Sequence, residues 1–108
     1  MNASELNQML IQAVAGIDTG DDKHYALLVY CNPDGSYSDS VIGEAGMRRK
    51  TAEITRCMNN GKVFIGILLR RSNTVTWKLF PEHQGEPAME AVMLNYASCV
   101  ANAVAKGH

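Results

Sequence analysis

The segment from Val63 to Arg71, VFIGILLRR, limits the folds open to this chain more than any other stretch. Side chains of a strand alternate between its two faces, and here both faces are apolar up to Leu69. A strand of this kind is typical of the centre of a sheet, where both faces are covered. We therefore expect a layered protein in which helices, or a partner, pack on both sides of a sheet.

This segment also begins a predicted hairpin. The strand TVTWKLF follows after Ser72-Asn73, and a two-residue loop at this point places Leu68 opposite Trp77 and Gly66 opposite Leu79. Period-two alternation then divides the apolar side chains between the two faces. One predicted face carries Phe64, Leu68, Val75, Trp77 and Leu79, and the other carries Val63, Ile65, Ile67 and Leu69 with Thr76 and Lys78.

An earlier pair of strands is predicted on either side of Asn32-Pro33-Asp34-Gly35, which has the proline and glycine typical of a turn. The first strand, HYALLVYC, is apolar on both faces. The second, SYSDSVI, is polar and rich in serine, which suits the edge of a sheet.

Three segments have helical spacing. The first helix is predicted from Ser4, a good N-cap residue, and the second runs from about Glu44 to Asn60. The third runs from Pro87 to about Ala105 and contains one charged residue, Glu90. Because a surface helix of this length usually carries a charged face, we expect the third helix to be buried on more than one side.

The predicted fold class is α+β, in helix-hairpin-helix-hairpin-helix order, with a mainly antiparallel sheet of about four strands packed with three helices. The 108 residues are enough for one core, so residues 1–108 are predicted to form a single domain. Asn95, Ser98 and Asn102 interrupt the apolar third helix, and a membrane span is therefore not expected.

The N-terminal segment lacks the basic region of a signal peptide. The chain has three cysteines, an odd number, and none of them belongs to a CxxC pair. These features favour the reducing cytoplasm over a secreted, disulfide-linked protein. They also predict neither a zinc site nor another cofactor. The three cysteines are Cys31, Cys57 and Cys99.

Charge is the strongest functional signal in the sequence. Seven of the ten basic residues lie between positions 48 and 71, where Glu53 is the only acid, so this basic segment has a net charge of +6 and the rest of the chain −7. Such clustering predicts a site for an anionic ligand, although surface charges of this kind also serve merely for solvation. The predicted ligand-binding residues are Arg48, Arg49, Lys50, Arg56, Lys62, Arg70 and Arg71.

Two other groups of residues suggest an enzyme instead. His83 and Glu86 precede the third helix, where a histidine beside a carboxylate could act as a general base. The acidic loop from Asp18 to Asp22, followed by His24, could hold a divalent metal. Neither group comes with an identified nucleophile, so a small hydrolase or ligand-pocket enzyme is the alternative interpretation and no catalytic residue is predicted.

The nearly uncharged third helix and the second apolar face of the sheet both need cover, and a homodimer through either surface would supply it. We therefore expect a small, non-enzymatic binding or regulatory protein, homodimeric and cytoplasmic. Its predicted partner is an acidic protein, a nucleotide or a nucleic acid, contacted through the basic segment. A structural oligomer subunit that binds no ligand is a further alternative.

Overall fold

The computed structural model describes residues 2–17 and 21–107, with the backbone alone for residues 45 and 48–51. In chain order its elements are α1 (Ala3–Ala13), β1 (His24–Cys31), β2 (Tyr37–Ile42), α2 (Glu44–Asn59), β3 (Val63–Arg71), β4 (Thr74–Leu79), a short 3-10 helix (Pro81–His83) and α3 (Pro87–Ala105). The strands form one antiparallel sheet in the order β2-β1-β3-β4. Within the described residues, an α+β fold with three α-helices and a four-stranded antiparallel sheet is confirmed.

The helix ends follow from local chemistry. Helix α1 begins earlier than predicted, because the side chain of Asn2 rather than that of Ser4 caps it by accepting a hydrogen bond from the backbone of Glu5. Helix α2 ends where predicted, at a glycine in the left-handed conformation, Gly61, with a φ angle of 84°. The backbone N–H groups of Gly61 and Lys62 donate to the carbonyls of Met58 and Cys57 in the last turn, which supplies partners for carbonyls that the helix itself leaves free.

Both faces of the sheet are covered within the chain. Helices α1 and α2 pack on one face, and α3 packs on the other. The first cluster is built from Leu6, Leu10, Val14, Met47 and Ile54 of the helices with Ala26, Leu28, Ile42, Phe64 and Ile67 of the strands. The second is built from Met93 and Val100 of α3 with Val29, Ile65, Leu68 and Leu79 of the strands. The second apolar face of the sheet is therefore buried by α3, without a partner subunit.

The predicted pairing of β3 with β4 is confirmed, since Leu68 lies opposite Trp77 and Gly66 opposite Leu79. The predicted edge position of the serine-rich strand is also confirmed, because β2 is the first strand of the sheet and pairs only with β1. The two-residue loop Ser72-Asn73 joins the strands directly, and its length therefore fixes the register of β3 against β4.

The predicted division of faces is wrong for two residues of β3. Phe64 packs with the α1–α2 cluster and Ile65 with the α3 cluster, the reverse of the prediction. The cause is a β-bulge: Val29 pairs with Gly66 and Tyr30 with Phe64, so Ile65 has no partner in β1. The extra residue shifts the alternation by one position, and Phe64 and Ile65 therefore change face.

Helix α3 is less buried than predicted. Only Met93 and Val100 are fully buried, and Leu94 on the outer side is 53% exposed. The expectation that α3 is buried on more than one side is therefore wrong for the chain on its own. Of the helices described, none is both long and apolar enough to cross a membrane.

Candidate functional site

The two arginines at the end of β3 point to opposite faces of the sheet, because successive side chains in a strand alternate. Arg70 is only 4% exposed, and its guanidinium carbon lies 5.8 Å from the centre of the Tyr25 ring. Its Nε donates to the carbonyl of Ser72 at 3.2 Å and its Nη1 to the carbonyl of Asp22 at 3.3 Å. Arg70 therefore belongs to the interior, where it joins the segment before β1 to the end of β3.

The other residues of the basic segment whose side chains are described lie on the side of the sheet covered by α1 and α2. Arg71 is exposed, and its Nη2 donates to the carbonyl of Ala15 at 3.3 Å. Lys62 is half-buried, with its Nζ 5.0 Å from the centre of the Tyr30 ring. Arg56 is exposed in the last turn of α2. Lys62 precedes β3 and Arg71 ends it, so these two residues are separated by roughly 30 Å of extended strand.

Helix α2 connects the two ends of this basic segment. The backbone N–H of Glu44 donates to the carbonyl of Ile17 at 2.9 Å, and its carboxylate accepts from the N–H of Gly16. The helix thus starts near the turn that Arg71 contacts and ends next to Lys62. Its 16 residues span about 24 Å. Three predicted site residues lie in its first half, and their side chains are outside the described part: Arg48, Arg49 and Lys50.

The two histidine–carboxylate pairs lie at opposite ends of the sheet. The Nδ1 of His24 lies 2.9 Å from a carboxylate oxygen of Asp21, at the start of β1. The Nδ1 of His83 lies 3.3 Å from a carboxylate oxygen of Glu86, beyond the far end of β4. The candidate acids and bases of the hydrolase alternative therefore do not converge on one another.

The acidic loop before β1 is described only in part. Residues 18–20, which include the first acid of the suggested metal site, lie outside the described residues. The backbone N–H of Lys23 donates to the Asp21 carboxylate at 2.8 Å, and this bond, together with that from His24, lowers the pKa of Asp21. In the described ranges, no three histidine, cysteine or acidic side chains come together as a metal site would require.

A groove lies between α3 and the edge strand β2. Its volume is about 310 Å³, and it is open to solvent along one side. The β2 wall is Tyr37, and the opposite wall is one face of α3. The lining residues contributed by α3 are Val92, Asn95, Tyr96 and Cys99. Aromatic, aliphatic, amide and thiol groups thus line the same cleft.

Tyr96 of α3 and Asp39 of β2 bring the two walls of the groove together, because the Asp39 carboxylate lies close enough to the Tyr96 hydroxyl to influence its pKa. Burial of the hydroxyl raises the pKa of Tyr96, and the Asp39 carboxylate raises it further. Tyr96 therefore keeps its proton at neutral pH and offers a hydroxyl donor on the α3 wall. A carboxylate has about four acceptor positions, so Asp39, which is exposed, has capacity for a further donor.

This groove was not predicted, because its two walls are far apart in the chain. The alternation of Tyr37, Asp39 and Val41 along β2 and the helical spacing from Val92 to Cys99 are visible in the sequence, but they do not show that the two faces meet. Only the position of α3 across the sheet brings them together.

Compared with known proteins, the chain matches no family model, no curated protein and no solved structure.

Proposed function

We propose that this chain is a small, non-enzymatic binding or regulatory protein that contacts an anionic partner through the basic segment from residue 48 to residue 71. The separation of charge carries the proposal: this segment has a net charge of +6 in a chain whose net charge is −1. Six of its seven basic residues remain as candidates, since Arg70 is in the interior. The cysteine pattern supports a cytoplasmic location for this protein.

The geometry of the basic segment favours an extended partner over a nucleotide. Arg71, Arg56 and Lys62 are distributed along a helix of about 24 Å and do not surround one pocket. A small anion would contact only one of them, whereas an acidic protein surface or a nucleic-acid backbone would contact several. The hydrolase alternative, at either His83 and Glu86 or the loop from Asp18 to Asp22, has less support, because the sequence identifies no nucleophile for either group.

Reversing the charge of Arg56 tests this proposal. We expect Arg56→Glu to weaken binding of a fluorescein-labelled poly-glutamate chain by about fivefold at low salt, the effect of about 1 kcal/mol of lost surface attraction. The matched control is Lys78→Glu, which makes the same change of net charge at an exposed position of β4, and it should change the affinity by less than about twofold. Fluorescence anisotropy measures both. Equal weakening by the two variants, or none by Arg56→Glu, would contradict a role for the basic segment.

We also propose that the protein is a homodimer through the outer side of α3, with or without the anionic partner. Between Glu90 and Lys106 the helix has no charged residue, and Leu94 projects from it with half of its surface exposed. Self-association would bury this side without bringing like charges together. The second face of the sheet, the other surface predicted for the dimer, is covered by α3 itself.

Light scattering tests the dimer. The expected mass is twice the 11.8 kDa of the chain, and Leu94→Glu should return it to that of the monomer, because two carboxylates would be forced into an apolar contact. Ile11→Glu is the control, since Ile11 is 46% exposed on α1, on the other side of the sheet, and should leave the mass unchanged. A wild-type chain that stays monomeric at high concentration would exclude this assembly.

A further inference from the structure

The outer edge of β2 presents backbone groups that can pair with another strand. The N–H of Asn32 donates to the carbonyl of Ser36 at 2.8 Å, which identifies these two residues as a hydrogen-bonded pair of the β1–β2 hairpin. Hydrogen-bonded and non-hydrogen-bonded pairs alternate along an antiparallel ladder. Tyr37 and Asp39 are therefore in non-hydrogen-bonded pairs with β1, and their N–H and C=O groups point away from the sheet. Among the described residues, these backbone groups have no backbone partner.

The side chains of the same two residues face α3. Tyr37 lines the groove of about 310 Å³, and Asp39 lies opposite Val29, whose side chain packs with the α3 cluster, so Asp39 faces the same side near Tyr96. A strand added to β2 would lie about 4.8 Å further out, and every second one of its side chains would project on the α3 side, next to the groove. The edge of β2 and the groove thus form one surface, with backbone groups for affinity and side-chain contacts for selectivity.

The charge of Asp39 selects the occupant. Pairing of β2 with β2 of a second copy, centred on Asp39, would place two carboxylates opposite each other, and like charges at such a position are destabilising. Charged residues on edge strands commonly prevent self-pairing for this reason. A lysine or arginine of an incoming strand, in contrast, would meet an exposed carboxylate that has acceptor capacity left.

We propose that β2 and α3 form a docking site for an extended segment of another protein, which pairs with the edge of β2 and places a basic residue opposite Asp39. This surface is separate from the basic segment of the proposed function. The site holds a basic, extended peptide on the α3 side of the sheet, whereas α2 faces an anionic partner on the other side. Either activity can exist without the other.

The test uses the full chain and a synthetic peptide, acetyl-Thr-Val-Thr-Lys-Thr-Val-Thr-amide, whose alternation places lysine opposite Asp39, one valine opposite Tyr37 and the other opposite Val41. We expect amide resonances of Tyr37 and Asp39 and of the α3 wall to shift on titration, with a dissociation constant of roughly 1 mM or tighter. A peptide with glutamate in place of lysine should bind at least about fivefold more weakly. Asp39→Lys should reverse this preference and select the glutamate peptide.

The decisive control is the lysine peptide with a methyl group on the backbone nitrogen of its lysine, which keeps the charge and removes the donor facing the edge. It should bind about tenfold more weakly. Equal binding of the methylated peptide, or no shift at Tyr37 and Asp39 with about 5 mM of the lysine peptide, would overturn strand addition. Slow hydrogen exchange at these two amides in a dimer without peptide would also overturn it, because a second copy would then occupy the edge.

Discussion

Replacing Gly66 with alanine should lower the free energy of unfolding by about 3 kcal/mol, which corresponds to a melting temperature lower by about 15 °C in a chain of this size. A Cβ atom on Gly66 would lie 2.6 Å from the carbonyl oxygen of Lys78 and 3.0 Å from the sulfur of Met93. The side chain of Met93 can move aside, but the Lys78 carbonyl belongs to the paired backbone of β4. The added methyl group therefore forces the sheet or α3 to shift.

Gly46→Ala is the matched control for this substitution. A Cβ at Gly46, within α2, would meet no atom within 4 Å, and its backbone has no positive φ angle. Alanine at this position should stabilise the protein by about 0.5–1 kcal/mol, because it favours the helix over the unfolded chain. Urea denaturation followed by circular dichroism measures both variants. If Gly66→Ala were as stable as the wild type, the close approach of the Lys78 carbonyl to Gly66 would be wrong.

Replacing Arg70 with leucine should cost about 3 kcal/mol of stability, although surface arginines usually contribute little. The guanidinium is buried against Tyr25 and donates to the carbonyls of Ser72 and Asp22. Leucine fills part of the space but removes both hydrogen bonds and the contact of the guanidinium with the Tyr25 ring, and each of these interactions contributes about 1 kcal/mol. The segment before β1 should therefore detach from the sheet at lower denaturant concentration.

Arg71→Leu is the comparison, because Arg71 is the adjacent residue and is exposed. Its single bond to the Ala15 carbonyl contributes less than about 1 kcal/mol. Thermal unfolding of both variants measures the difference. Equal melting temperatures would show that Arg70 is not held in the interior, and Arg70 would then return to the candidate binding residues.

Much of the fold could be predicted from local patterns. The two-residue loop at Ser72 determines the pairing of Leu68 with Trp77, because a loop of fixed length leaves one register. The left-handed Gly61 ends α2 where the sequence Asn59-Asn60-Gly61 indicates a stop. Such features depend on residues within a few positions of each other, so the printed sequence contains the information needed.

The bulge in β3 could not be predicted in this way. Strict alternation places Ile65 with Ile67, but the structure places Ile65 with Leu68. Both faces of β3 are apolar, so the sequence is equally compatible with strict alternation and with an alternation that shifts by one residue. The choice depends on how β1 pairs with β3 and on the space that α3 leaves above Gly66.

The candidate site also has some features that can be predicted from the sequence and others that only the fold shows. The net charge of +6 between positions 48 and 71 can be counted in the sequence, but Arg70 and Arg71 are indistinguishable there. Because side chains alternate along β3, the Arg70 guanidinium lies on the α3 side of the sheet and the Arg71 guanidinium on the α1 side. Only the fold shows that Arg70 is the buried one. The groove between β2 and α3 left no signal, because its walls meet only through packing.

The sequence by itself determined the α+β class, the register of the second hairpin, the edge position of β2 and the segregation of basic charge, because each of these follows from composition or from short-range stereochemistry. The tertiary structure alone decided which side of β3 holds Phe64 and Ile65, that Arg70 is internal, and that Asp39 meets Tyr96. These outcomes depend on contacts between residues distant in the chain, where packing, rather than local preference, selects among conformations that the sequence permits equally.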